Sequence, residues 1–248
     1  MTARLDRIIR HPIKSHGRED LASVRLLAGA ALPWDRHWAV AHEAARLVPG
    51  WNPCVNFARG AKAPALMAIA AQLDEGSGTL TLTHPDRPAL TFRPDDPADQ
   101  PGFLDWVRPL NPENRAQPTQ ILQAGVAMTD TDYPSVSILN LASNHALGAH
   151  MGMELSPHRW RGNLWVDGWA PWQEFDLIGR RLRIGAALLE VREPITRCNA
   201  TRANPDTGRI EGDTLAALQT HCDHQDFGVY AVVLEPGQIA TGDEVTLT

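Results

Sequence analysis

Lysine is nearly missing from this 248-residue chain: Lys14 and Lys62 are the only two, and almost all of its basic charge is arginine. Cysteine is scarce as well. Cys54, Cys198 and Cys222 are odd in number and widely spaced, which fits a reducing compartment better than a disulfide framework. No apolar run approaches the roughly 20 residues of a membrane span. The opening MTARLDRIIRHPIKS lacks the apolar core of a signal peptide, so a cytoplasmic protein without a membrane partner is expected. Excess positive charge is absent too: the net charge is -6, with a pI near 5.9. That argues against nucleic acid as a partner, because binding it requires phosphate neutralisation. There is no P-loop, no GxGxxG after a strand, no HExxH and no GxSxG, so the chemistries those motifs serve have no support.

What is present is a chain with enough apolar residues, 43%, to pack a core, and long enough for one large or two modest domains. The first half reads as short strands between turns. Thr79 to Thr83 (TLTLT) and Ala89 to Phe92 alternate at period two, and Gly76-Ser77-Gly78 and His84-Pro85-Asp86 punctuate them as hairpin turns. Arg93 to Gly102 is rich in proline and aspartate and is the expected domain boundary, continuing into Val107 to Pro118. Beyond it, Val136 to Leu147 starts extended and turns helical from a cap at Ser143 or Asn144. Asn163 to Val166, Arg181 to Ile184 and Leu188 to Val191 read as strands, and Asp213 to His221 as a short capped helix. The fold class expected is mainly β with a few helices (α+β), built on small barrels or sandwiches.

The most informative stretch is EPITRCNATRANPDTG, Glu193 to Gly208. It delivers Cys198 from an extended segment to a loop, directly after Arg197, ahead of a Pro-Asp-x-Gly turn. A fixed positive charge beside a loop thiol favours thiolate, the form that binds soft metals or attacks sulfur. Taken alone, such a cysteine is more often structural. Several groups suit an anion: Lys14 and Ser15 after the first strand, Arg36 in LPWDRHWAV, and Arg161 with Asn163 in RWRGN. On an extended strand, residues 161 and 163 would face the same way. Taken singly, each reads better as a solvated or salt-bridged surface residue, and Arg36 has Asp35 or Glu43 at hand. Ser143 either helps a helix N-terminus hold a phosphate or merely caps it. His221-Cys222-x-His224 lacks a second pair and is a weak zinc signal.

Read together, these segments resemble the MOSC family, which includes the C-terminal domain of molybdenum cofactor sulfurases and the core of the mitochondrial amidoxime-reducing component and its bacterial relatives. HPIKS followed by LPWDRHWAV is similar to the opening of that family's N-terminal domain. Asp132-Tyr133-Pro134, SVSILNLAS, RWRGNLWVDG, PWQEF, RCNATRANPDTG, FGVY and GQIATGDEV follow in MOSC order across nearly the whole chain. The resemblance implies an N-terminal β-barrel-like domain over residues 1–105 and a MOSC β-barrel domain over 106–248. It implies a molybdenum cofactor (molybdopterin), with Cys198 as metal ligand and catalytic group. Lys14, Ser15, Arg36, Ser143, Arg161, Asn163 and Arg197 would hold the pterin and its phosphate, with Tyr230 nearby. The chain departs from the family where Arg-Pro-Asn becomes Arg161-Gly162-Asn163, a change expected to loosen that strand.

The activity implied is reduction of N-hydroxylated or N-oxide small molecules. Electrons would come from a separate donor protein of flavin, haem or ferredoxin type, and Asp206 or Tyr230 would be the proton donor. Two other readings stand beside it. In one, Cys198 carries a persulfide in sulfur transfer; in the other, the protein is a non-catalytic carrier of the cofactor.

Overall fold

A computed structural model describes residues 2–248. Its strands are β1 (Arg4–Arg10), β2 (Glu19–Leu21), β3 (Ser23–Leu26), β4 (Trp38–His42), β5 (Ala70–Asp74), β6 (Thr79–His84), β7 (Arg87–Phe92), β8 (Pro118–Gln123), β9 (Val136–Asn140), β10 (Leu164–Asp167), β11 (Arg181–Ile184), β12 (Ala187–Thr196), β13 (Asp226–Glu235), β14 (Gly237–Ala240) and β15 (Val245–Leu247). The α-helices among the described residues are α1 (Gln100–Val107), α2 (Leu141–Met151) and α3 (Thr214–Cys222). The protein is therefore mainly β with a few helices. None of its described helices is long and apolar enough to cross a membrane.

Eight strands form one curved sheet in the order β15-β11-β12-β13-β9-β10-β1-β2. Strands β9 and β10 run parallel, with Ile138 opposite Leu164, and the other pairs are antiparallel. The ladder does not close into a continuous ring. Its ends nevertheless meet where the Leu5 amide donates to Asp243 O (2.8 Å) and the Val245 amide to Ala3 O (2.9 Å). The central strand β9, VSILN, is buried at every position. On one face Val136 and Ile138 join Leu5, Ile8, Leu164, Val166 and Val229 in the main core. On the other, Leu139 lies with Ile9, Trp165 and Phe227 under α2 and α3, which contribute Leu147 and Leu218. Burial on both sides explains why apolar residues occupy both faces of this strand, with Ser137 and Asn140 satisfied by hydrogen bonds.

The rest of the first half packs around a second core of Ile13, Trp38, Val40, Leu80, Leu82 and Phe92. Strand β4 pairs with β8, and β5-β6-β7 form an antiparallel meander, as the TLTLT alternation leads one to expect. Part of the proline- and aspartate-rich span read as a boundary is folded into this core. It forms α1, whose Phe103 stacks on Phe92 at 4.8 Å between ring centres. Pro101 falls in the first turn of α1, where proline is tolerated.

Candidate functional site

A cavity of about 350 Å³ opens between the two cores. Its wall from the first half carries Lys14, Ser15, Arg36, Trp51, Cys54 and Arg59. Its wall from the second half carries Ser137, Arg159, Arg161, Arg197, Cys198 and Tyr230. Lys14, Ser15, Arg36, Arg161, Arg197, Cys198 and Tyr230, singled out along 217 residues of sequence, thus share one hollow.

The cations are held in two different ways. The Lys14 ammonium donates to Asp130 Oδ1 (2.5 Å) and to Met128 O (2.8 Å). Arg36 is ion-paired with buried Asp35 and donates to Arg161 O (2.8 Å). Asp35 also accepts the His11 amide (2.7 Å). Burial pushes the Asp35 carboxyl up, but Arg36 and the contacts from His11 together outweigh it and hold the group well below the usual carboxylate range. On the opposite wall, Arg161 reaches main-chain oxygens only, Gly17 O (3.1 Å) and Ile13 O (3.3 Å). Arg197 donates through Nε to Phe227 O (2.8 Å) and through a terminal nitrogen to Trp160 O (3.0 Å), with its guanidinium 5.6 Å from the centre of the Trp160 ring. Neither forms an ion pair among the described residues. Burial lowers the pKa of both, and repulsion from Arg36 adds to it for each.

The backbone around the cavity is strained. Ser15, Arg36 and Arg161 all adopt left-handed conformations, with φ of 64°, 50° and 51°. Such a conformation costs a non-glycine residue about 1–3 kcal/mol and persists only where surrounding structure enforces it. Arg161 ends a tight helical turn, Pro157–Trp160, in this conformation, so the chain changes direction there. That corrects the expectation that Arg161 and Asn163 share a side of an extended strand. Arg161 lines the cavity, whereas Asn163 is buried behind it, accepting from the Ser137 amide (3.1 Å) and hydroxyl (2.9 Å) and donating to Ile9 O (3.2 Å). Asn163 therefore fixes Ser137, which does line the cavity. Nor does Gly162 loosen the strand: a Cβ there would lie 1.9 Å from Leu139, so glycine is what allows Leu139 to pack.

Ser143 also lies away from the cavity. It sits fully buried in the first turn of α2, whose cap is Asn140; its hydroxyl donates to Glu174 (2.8 Å) and accepts from the Trp172 amide (2.8 Å). It serves a buried polar cluster and not an open helix terminus. Asp206 is outside as well, 73% exposed and paired with Arg18 at 3.2 Å. Tyr230 remains of the two suggested proton donors. Burial and the Asp130 carboxylate push its hydroxyl up to about 12, so it stays protonated at neutral pH.

Cys198 is exposed at the start of a short helical turn, Asn199–Arg202, with its carbonyl accepting from the Thr201 hydroxyl (3.0 Å). Arg197 points away from it, donating to Phe227 O and Trp160 O. Among the lining residues that sequence reasoning missed are a cysteine and two arginines. Cys54 faces the same hollow from the other wall and accepts a hydrogen bond from Arg59 (3.1 Å). Arg159, 2% exposed, donates to Thr201 O and Glu211 O. Only the nearness of Cys54 and Arg59 in NPCVNFAR hinted at the first two, and Arg159 lay unremarked beside the RWRGN motif.

Comparison with known proteins gives two family matches: the MOSC N-terminal beta barrel domain over residues 2–107 and the MOSC domain over residues 128–246. Over 117 residues the chain is 31% identical to the molybdenum cofactor sulfurase of Drosophila grimshawi. That stretch is 44% of this chain and 15% of the sulfurase, so the chain spans a small part of that relative. Among solved structures, the YuaD protein of Bacillus subtilis aligns over 99% of this chain and 94% of its own, at 14% identity and a TM-score of 0.45. YiiM of Escherichia coli aligns over 46% and 53%, at 19% identity and a TM-score of 0.34.

Proposed function

From its place in the MOSC family, to which this chain belongs with an N-terminal beta barrel domain ahead of its MOSC domain, we propose that the cavity holds a molybdenum cofactor and reduces N-oxygenated small molecules. One observation carries the proposal: Arg161 and Arg197, two partly buried guanidiniums without carboxylate partners, line the same hollow as an exposed cysteine. Uncompensated charge in a low-dielectric setting is costly and is relieved by an anion. A pterin phosphate supplies that anion, and a thiolate supplies a soft ligand to a sulfur-rich metal. Among the described residues no group of three or more His, Cys, Asp or Glu is poised to hold a bare metal ion. A metal held by Cys198 would therefore bring its other ligands with it, as a dithiolene cofactor does.

When bound, the cofactor supplies two-electron reduction at an open metal position. The residues of the chain do the rest. Cys198 would anchor the metal, while Arg161 and Arg197, with Arg59 opposite, would hold the anionic tail; Lys14 and Arg36, each engaged by a carboxylate, would shape the wall around it. Ser137, fixed by Asn163, offers a hydroxyl in the wall. Tyr230, protonated at neutral pH, can give a proton to the departing oxygen. The net change breaks one N–O bond, takes up two electrons and two protons, and releases water. The electrons come from a separate donor protein.

The test is elemental and pterin analysis of the purified protein, followed by turnover of an N-oxide with a chemically reduced donor. The expected result is near-stoichiometric molybdenum and pterin with activity. Cys198→Ala should lose molybdenum and turnover and keep its melting temperature, because an exposed loop thiol packs against little. Full metal and full turnover in that variant would overturn the assignment. The presence of Cys54 in the same hollow favours a second reading, transfer of a persulfide sulfur from Cys198. That reading predicts protein-bound sulfane sulfur and little molybdenum.

A further inference from the structure

Beside the first cavity lies a second, more open hollow of about 430 Å³, and the two share Trp51, Asp130, Thr196 and Tyr230. Their charges are opposite. No lysine or arginine lines the second hollow; Asp130, Asp132 and Glu193 do, between the rings of Trp51, Tyr133 and Tyr230. Asp130 is already taken by Lys14. Asp132 and Glu193 form no ion pair among the described residues. Glu193 accepts only the Tyr133 hydroxyl (2.5 Å), and Arg192, next along β12, turns to Glu190 instead (3.1 Å).

The strands explain the arrangement. Glu193 pairs with Tyr230 across β12 and β13, and the β12 register shifts on both sides of this pair, between Val191 and Glu193 and between Pro194 and Thr196. Bulges of this kind re-aim side chains beside a site. Carboxylates without cations, with aromatic side chains in the same wall, are the surroundings an organic cation seeks. We propose that this hollow is a substrate subsite for a positively charged group, an ammonium or quaternary nitrogen separate from the nitrogen being reduced. Its role in substrate choice rests on the reading of the first cavity as the reaction site, but its affinity for a cation does not.

Two measurements separate these. First, calorimetric titration of the purified protein with benzyltrimethylammonium and with benzyl alcohol compares a cation with a neutral analogue of similar shape. The cation should bind about tenfold more tightly, weaken with added salt, and lose that margin in Asp132→Asn/Glu193→Gln. Both residues are exposed, and both replacements keep a hydrogen-bond acceptor, so the fold is retained. Equal affinity for the two probes, or an unchanged margin in the double variant, would overturn the proposal whatever the reaction is. Second, with cofactor-loaded protein and a reduced donor, an N-oxide bearing a second, cationic nitrogen is compared with a neutral one. The double variant should raise KM for the cationic substrate about tenfold, leave its kcat unchanged, and leave the neutral substrate unaffected. A raised KM for both would refute the subsite, whereas the absence of turnover with either would refute the reductase reading and leave the titration to decide the hollow.

Discussion

Two pairs of cations facing each other across the main cavity are held in opposite ways. On the wall from the first half, each buried cation has its own carboxylate: Lys14 has Asp130, and Arg36 has Asp35. On the wall from the second half, Arg161 and Arg197 are oriented by main-chain oxygens alone. A paired cation contributes structure and little net field. An unpaired one keeps its charge for whatever enters. Lys14 and Arg36 are therefore fixed as parts of the fold, whereas Arg161 and Arg197 have charge to spare; the contrast holds for these four, since Arg159 on the second wall is paired with Glu211 (3.6 Å).

The sharpest test of that contrast is Arg36→Met. It strands Asp35, a carboxylate with no solvent exposure, and removes the donor to Arg161 O. Breaking a buried pair from one side costs about 3–5 kcal/mol. The melting temperature should fall steeply, and Asp35→Asn in the same chain should recover part of the loss. A variant with wild-type stability and reduced cofactor content would show that Arg36 belongs functionally to the other wall.

Somewhat smaller is the effect of acid on the first wall. His16 is fully buried, with Nδ1 2.7 Å from Lys14 O. Burial lowers its pKa to about 4 from 6.5, and Arg161 adds to the lowering against the opposing pull of Lys14 O. The unfolded chain thus binds a proton between pH 6.5 and 4 that the folded chain refuses, so stability falls as pH drops through that window. The loss amounts to about 3 kcal/mol by pH 4. Burial pushes His11 in the same direction. Chemical denaturation at a series of pH values checks this, and His16→Gln should flatten the slope. Stability independent of pH over that range would mean that His16 is not held neutral.

Much of this was legible in advance, and the remainder was hidden for identifiable reasons. Period-two alternation in TLTLT marked a strand because burial is periodic where a sheet has one dry face, and the adjacent Ile138 and Leu139 belong to a strand buried on both faces. The cysteine loop was legible from its motif. What failed was direction. Nothing in RWRGN announces that Arg161 takes a left-handed conformation, so Asn163 was assigned to the wrong side of the wall. Ser143 looked like a cap because the capping role of Asn140, one residue before the helix, cannot be told from a strand end in VSILN. Cys54 and Arg59 lie more than 130 residues before Cys198, and only tertiary folding brings them to the same hollow.

The smallest expected effect bears most directly on the second wall. Arg161→Met removes a guanidinium that no carboxylate needs, so no buried charge is left behind. Stability should change little, because burial and the repulsion of Arg36 already weigh against the charged form of this side chain. Binding should suffer instead. One charge-assisted bond to a phosphate contributes about 1.5 kcal/mol, so pterin retained after gel filtration should correspond to about tenfold weaker affinity. The proper control is Arg36→Met measured alongside it, since the two guanidiniums belong to one cavity and differ in their partners. If Arg161→Met destabilises the fold as much as Arg36→Met and leaves pterin in place, the division of labour between the walls is void. If it lowers pterin retention at unchanged melting temperature, the free charge is there for an anion and the paired one for the protein.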